Sequence, residues 1–226
     1  MIKTDTNDRI AYLSQFVTRK RLNLLGDILD KRTRHLTIAL EDVYHPHNAS
    51  AVLRSCDCLG IQDIHIIEDR NTLDISEKVT RGAESWLTLK KYDDPDGRNA
   101  LRCIEALRQD GYRIIAMTPH HPDYTLGDLE VNEKLAVFFG SEKDGLNDVV
   151  LEQADDKVMI PMFGFTESYN ISVGVALVLY DLRTKLEATG IDWGLMKQEK
   201  QTLMLDWLRY SVRAGKLIED RFFEGD

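Results

Sequence analysis

Three polar clusters in this 226-residue chain hold residue types that can do chemistry, and each follows a short apolar run. The first is HPHNASAVLRSCD (His45 to Asp57), with Asn48 and Arg54 six positions apart. The second is FFGSEKDGL (Phe138 to Leu146), where Glu142 follows Gly140 and Ser141. The third is IPMFGFTESYNISVGVALVLYDL (Ile160 to Leu182), where Ser168 and Asn170 stand before an almost wholly apolar segment. An amide, a carboxylate, a hydroxyl and a guanidinium are groups that orient a polar substrate and stabilise charge developing on oxygen. The pairs His45/His47 and His120/His121 lack an acidic or cysteine partner at ligand spacing, so no metal site is expected.

The elements that must position these clusters alternate. Asp8 to Lys31 reads as one helix, with Leu22, Leu25, Ile28 and Leu29 on a stripe. Apolar runs at LTIALED, DIHIIED, WLTLKKY, YRIIAMT, KLAVFFG and DKVMIP read as strands, the third of them at an edge. Between them lie helices opened by Asn48, running over Arg98 to Gln109, and around Asn147 to Ala154; Gly60 and Gly111 mark exits. Asn170 caps a helix too apolar to face water, and one last helix spans Leu195 to Ala214. Strands apolar on both faces, alternating with helices, give an α/β fold with a parallel sheet flanked by helices. Ligands of such sheets gather beyond the carboxyl ends of the strands, where all three clusters fall. No GxGxxG follows the first strand and no GxxxxGK[ST] is present, which argues against ordinary dinucleotide and P-loop sites.

Composition limits the remaining classes. The net charge of −9 opposes indiscriminate nucleic-acid binding, yet Arg19, Lys20, Arg21, Lys31, Arg32 and Arg34 concentrate basic charge near the N-terminus. No run approaches the ~18 apolar residues of a membrane span, and the first residues carry no signal-type apolar core, so a cytoplasmic protein is expected. Three cysteines without CxxC spacing suggest inert thiols.

Together, in this order and each after a strand, the three clusters resemble the three motifs of the SpoU/TrmH family of SPOUT methyltransferases, over roughly Leu36 to Arg183. The resemblance implies a C-terminal trefoil knot, a homodimer, S-adenosylmethionine as methyl donor, and 2′-O-methylation of a ribose in RNA. It implies three parts: a basic helical N-terminal extension (1–35), a SPOUT-type catalytic domain (36–190) and a C-terminal helical extension (191–226). Asn48, Arg54, Glu142, Ser168 and Asn170 match its catalytic positions. Thr118, Gly140, Ile160 and Tyr169 match the places where backbone holds the donor, and the basic residues between Arg19 and Arg34 would grip RNA phosphates. Tyr169 stands where leucine is common, and Gly174 where alanine is frequent. The Ser in NASAVLRSCD and the short N-terminal segment point to tRNA, at a D-loop guanosine, with ribosomal RNA as the alternative; a non-catalytic RNA-binding relative is a third reading. A guanidinium stays protonated in proteins, so Arg54 is a poor base. It suits holding a phosphate and stabilising an alkoxide, or assisting deprotonation by that phosphate.

Overall fold

The computed structural model describes residues 5–73 and 77–223. Positions 74–76, inside the stretch from Arg70 to Ser85 read as polar loop, lie outside the described residues, as do the ends of both terminal extensions. The chain forms two compact units, one spanning Arg34–Trp193 and one built from the segments up to Thr33 and from Gly194 onward.

In the terminal unit, α1 (Thr6–Leu13) and α2 (Arg19–Leu29) replace the single helix expected over Asp8 to Lys31. Thr18 leaves the helical conformation at φ −68°, ψ 151°, and its hydroxyl accepts from the Arg21 N–H, so it starts a new helix instead of continuing the old one. The larger unit follows with β1 (Leu36–Glu41), α3 (Pro46–Cys58), β2 (Asp63–Ile67), α4 (Glu77–Thr80), β3 (Thr88–Tyr92), α5 (Asn99–Gln109) and β4 (Arg113–Met117). Then come β5 (Tyr124–Thr125), β6 (Leu135–Phe139), α6 (Asp148–Gln153), β7 (Asp156–Met159) and α7 (Ile171–Ala188). The chain returns to the terminal unit through α8 (Lys197–Ser211) and α9 (Gly215–Phe223). The last expected helix, Leu195 to Ala214, is α8, and the further helix α9 follows once Ala214 takes a left-handed φ of 56°.

All strand pairings in the sheet are parallel, in the order β3-β2-β1-β6-β4-β7-β5. Strands β1, β2 and β6 are buried at every residue, and the polar Thr37, Asp63 and His65 among them are hydrogen-bonded to the Asp63 carbonyl, Arg34 and Tyr92. Alternate side chains feed two cores. Leu36, Ile38 and Leu40 pack with Val52, Leu53 and Cys56 of α3 and with Val175, Val178 and Leu179 of α7. Ala39 and Phe138 point the other way, toward Cys103, Ile104 and Leu107 of α5 and Val150 of α6. Each fully buried Leu, Ile or Phe in these cores contributes roughly 1.5–3 kcal/mol relative to exposure.

Polar ties fix the loops to this frame. Asp42, in a left-handed conformation (φ 51°), accepts from the backbone N–H groups of Asp69, Arg70 and Asn71 at 2.9, 2.8 and 3.2 Å. On α7, the Lys185 ammonium donates to the carbonyls of Leu126, Gly127 and Leu129 at 2.6, 3.0 and 3.1 Å. It holds the helix to the segment after β5.

In the terminal unit, Glu219 is wholly buried and receives Arg9 at 2.6 Å and Arg209 at 2.7 Å. An antiparallel bridge joins Thr33 to Gly194. Arg32 lies 1% exposed with its guanidinium 5.3 Å from the Trp207 ring centre, which removes it from the expected phosphate-gripping set. In the larger unit, Arg34 is held by Asp63 at 2.9 Å, so it too is engaged internally. Arg19, Lys20 and Lys31 are exposed, and Arg21 is half-buried. Among the described residues no helix is long and apolar enough to cross a membrane.

Candidate active site

The carboxyl ends of β4, β6 and β7 and the start of α3 open into one cavity of about 780 Å³. Asn48, Glu142, Ser168 and Asn170 line it, as do Thr118, Gly140, Ile160 and Tyr169. Eight of the nine expected catalytic and donor-site residues thus meet on one wall system. The ninth, Arg54, does not line the cavity. It stands exposed in α3, with no side-chain partner among the described residues.

Local sequence explains each placement. Pro46 starts α3, because its fixed φ suits the first helical position and its missing N–H costs nothing there. The cap is then His45, and Asn48 falls inside the first turn instead of capping the helix as its sequence position suggested. Its amide is free to donate to Glu142 Oε1 at 2.7 Å. The other carboxylate oxygen accepts from the Tyr44 N–H at 3.2 Å. Asn170 does cap α7, accepting from the Ser172 N–H at 2.9 Å and the Ser172 hydroxyl at 2.6 Å. Its amide nitrogen donates to Asn48 Oδ1 at 3.1 Å. Glu142, Asn48 and Asn170 therefore form one relay across three loops. Burial pushes the Glu142 carboxyl up, but hydrogen bonds from Asn48 and from the backbone at Glu142, Tyr44 and His45 outweigh it and hold the group below its ordinary value.

The second loop needs its glycines. A Cβ on Gly140 would overlap the backbone of Gly145 and Leu146, and Gly145 sits at φ +70°. The tight loop is closed by reciprocal backbone bonds between Ser141 and Gly145 at 3.0 and 3.1 Å. Thr118 turns the third wall, its hydroxyl accepting from the His120 N–H at 3.1 Å. The Ser168 hydroxyl has no partner among the described residues and remains available to a ligand.

The cavity falls within the roughly 300–1,000 Å³ of pockets that take small ligands. Met117, Phe139 and Ile171 supply an apolar lining beside loop backbone and hydroxyls. That donor set fits the expected S-adenosylmethionine, an adenosine with a charged amino-acid tail. Sequence reasoning missed Glu41, buried at the end of β1, whose carboxylate accepts from the Asn147 N–H at 2.8 Å under the second loop. The signal was an acidic residue closing an otherwise apolar strand.

The family model of the SpoU rRNA Methylase family matches residues 35–180. The chain belongs to that family. A tRNA (guanosine(18)-2′-O)-methyltransferase of Borreliella burgdorferi is 41% identical, over 96% of this chain and 97% of its own length. The protein of that description from Thermus thermophilus is 31% identical, over 85% of this chain and 97% of its own. Among solved structures, the A. aeolicus TrmH/SpoU tRNA modifying enzyme matches with a TM-score of 0.76 and 27% identity, covering 86% of this chain and 98% of that one. The expected parallel sheet flanked by helices is present, and the A. aeolicus enzyme shares this fold.

Proposed function

We propose that the protein transfers the methyl group of S-adenosylmethionine to the ribose 2′-hydroxyl of a D-loop guanosine in tRNA. The observation that carries this reading is the relay. Hydrogen bonds join loops 94 and 122 residues apart, on the wall of one cavity, through the residues that the methyltransferase motifs specify. Likeness to tRNA (guanosine(18)-2′-O)-methyltransferases over nearly the whole of both chains supports the choice of nucleotide.

When bound, S-adenosylmethionine supplies an electrophilic methyl on a sulfonium. Backbone at Thr118, Gly140, Ile160 and Tyr169 would hold it, and the apolar lining keeps water from competing with the ribose. Glu142 and the two asparagines keep the first and third loops in register, so that Ser168 and the target oxygen meet the donor in line. Such positioning can supply several kcal/mol of the barrier reduction. Arg54, unengaged and exposed, is suited to clamp the phosphate next to the target ribose. It would then stabilise charge on the hydroxyl oxygen as the proton leaves, toward that phosphate or solvent.

On the same reading the C-terminal part of the sheet is threaded as a trefoil knot, the terminal unit grips tRNA, and the protein works in the cytoplasm as a homodimer. The dimer is supported by Val173, Leu177 and Tyr180, which are 47%, 41% and 66% exposed at helical spacing on one side of α7. Light scattering should give twice the chain mass, and the mass of a single chain would remove the dimer. For the reaction, labelled donor is incubated with unmodified tRNA or ribosomal RNA, and the digested RNA is mapped by mass spectrometry. Label in a D-loop guanosine ribose is expected; label in ribosomal RNA alone overturns the substrate. Arg54→Ala should bind donor normally in calorimetry yet lose about 10²-fold or more in transfer, and undiminished transfer would refute its role.

A further inference from the structure

Glu41 closes β1 directly beneath the donor-side loop, with its side chain 2% exposed. Oε2 accepts from the Asn147 N–H at 2.8 Å, whereas buried Oε1 meets no hydrogen-bond partner among the described residues. The register Leu40↔Phe139 puts Glu41 beside the Gly140 end of this loop, while the hydrogen bond reaches its Asn147 end. A single carboxyl group therefore underlies both ends of the segment that carries Glu142 and walls the cavity.

The groups facing it come from each neighbouring element. Asp42 follows it in the chain, Asp69 and Arg70 approach from the segment after β2, and the Cys103 thiol interacts with it from α5. Arg70 is shared with Asp144 of the same loop, at 3.5 Å. Burial first, then Asp42 and Asp69, push Glu41 up to about 7, against the opposing pull of the Asn147 N–H and Arg70.

We propose that Glu41 is a positioning residue for methyl transfer: neutral, it keeps the Gly140–Asn147 loop docked on the donor pocket, and on ionising it loosens that loop. This rests on the donor reading above. The sign follows from burial. Below about 7 the neutral acid is tolerated in its dry site. Above it, an uncompensated anion faces Asp42 and Asp69, and is relieved when the loop lifts and water enters. Donor affinity should thus fall as pH rises, while removal of the ribose proton becomes easier. The Michaelis constant for donor and the turnover number rise together.

The test is calorimetry of S-adenosylmethionine with the whole protein and with Glu41→Gln. The glutamine keeps an acceptor for Asn147 and cannot ionise. Between about pH 6 and about pH 8.5 the unsubstituted protein should lose about tenfold in donor affinity and the variant less than about twofold. His45, His120 and His121 line the same cavity in both proteins, so their contribution cancels. Equal losses in the two proteins overturn the proposal. Should Glu41→Gln fail to fold, hydrogen exchange of the unsubstituted protein without donor decides. After correction for intrinsic rates, amides from Ser141 to Asn147 should lose protection relative to β6 at the higher pH. Unchanged relative protection refutes Glu41's role. Absence of donor binding at every pH would instead remove the donor reading, and the exchange result would still decide Glu41.

Discussion

An ionised carboxylate only accepts hydrogen bonds, and from Glu142 this restriction travels through the site. Asn48 must present its amide nitrogen to Glu142, so its oxygen faces Asn170, whose own oxygen is left for Ser172. Because its pKa is depressed, Glu142 adds stability that is present above its unfolded value and is lost only as pH falls through the lower folded one. The relay keeps its direction across the neutral range. Asn48→Asp should invert one link, setting two carboxylates at hydrogen-bond distance and lowering methyl transfer by about 10²-fold or more. Adding Glu142→Gln supplies a new donor to Asp at position 48, so the double variant should recover part of the rate in steady-state assays. No recovery would mean that Glu142 acts by its charge and not by orienting Asn48.

At the scale of elements, α7 offers the cleanest stability test. Gly174 lies within it, and an added Cβ would meet Ile160 at 3.8 Å and Tyr169 at 3.9 Å, both ordinary contacts. Gly174→Ala should therefore stabilise the protein by about 0.5–1 kcal/mol through the unfolded chain's lost freedom, read as a higher melting temperature. A fall would show that the α7 N-terminus must flex. This helix was legible in the chain because Asn170, a cap residue, precedes a long apolar run. The turn glycines were equally plain, since Gly60 and Gly111 both take positive φ, at 74° and 81°. Other boundaries were hidden. No glycine or proline interrupts the run from Asp8 to Leu25, so no conventional breaker announces the break that Thr18 makes. Strand β5 is two residues long, below any pattern a sequence can display. Asn48 looked like a cap until Pro46 took the first helical position. Arg32 shows the same gap for the site: composition registers a charge, but only packing shows that it faces Trp207 and not solvent. Arg54 could be read as a motif member, but not its position outside the cavity wall.

For the whole molecule, charge is divided between the two units. The terminal unit holds 13 basic and 10 acidic residues, the larger one 16 and 28. A polyanion is thus favoured at the small unit and repelled by much of the other, except where Arg54 stands. Replacing Arg19, Lys20 and Arg21 with Ala should weaken tRNA binding and reduce the slope of log affinity against log salt by up to about 3. An unchanged slope, measured by filter binding over a salt series, would move the phosphate contacts elsewhere.

The terminal unit is also discontinuous: its two segments, which precede and follow the larger unit in sequence, meet at the Thr33–Gly194 bridge. That arrangement sets an order of events during synthesis. Helices α1 and α2 are made before the larger unit, but Glu219, which pairs with Arg9, is made after it. At about 5–20 residues per second, the Arg9 side chain waits roughly ten to forty seconds for its counter-ion. The whole sequence of the larger unit is synthesised within that interval, so every segment that walls the cavity exists before Glu219 can pair with Arg9.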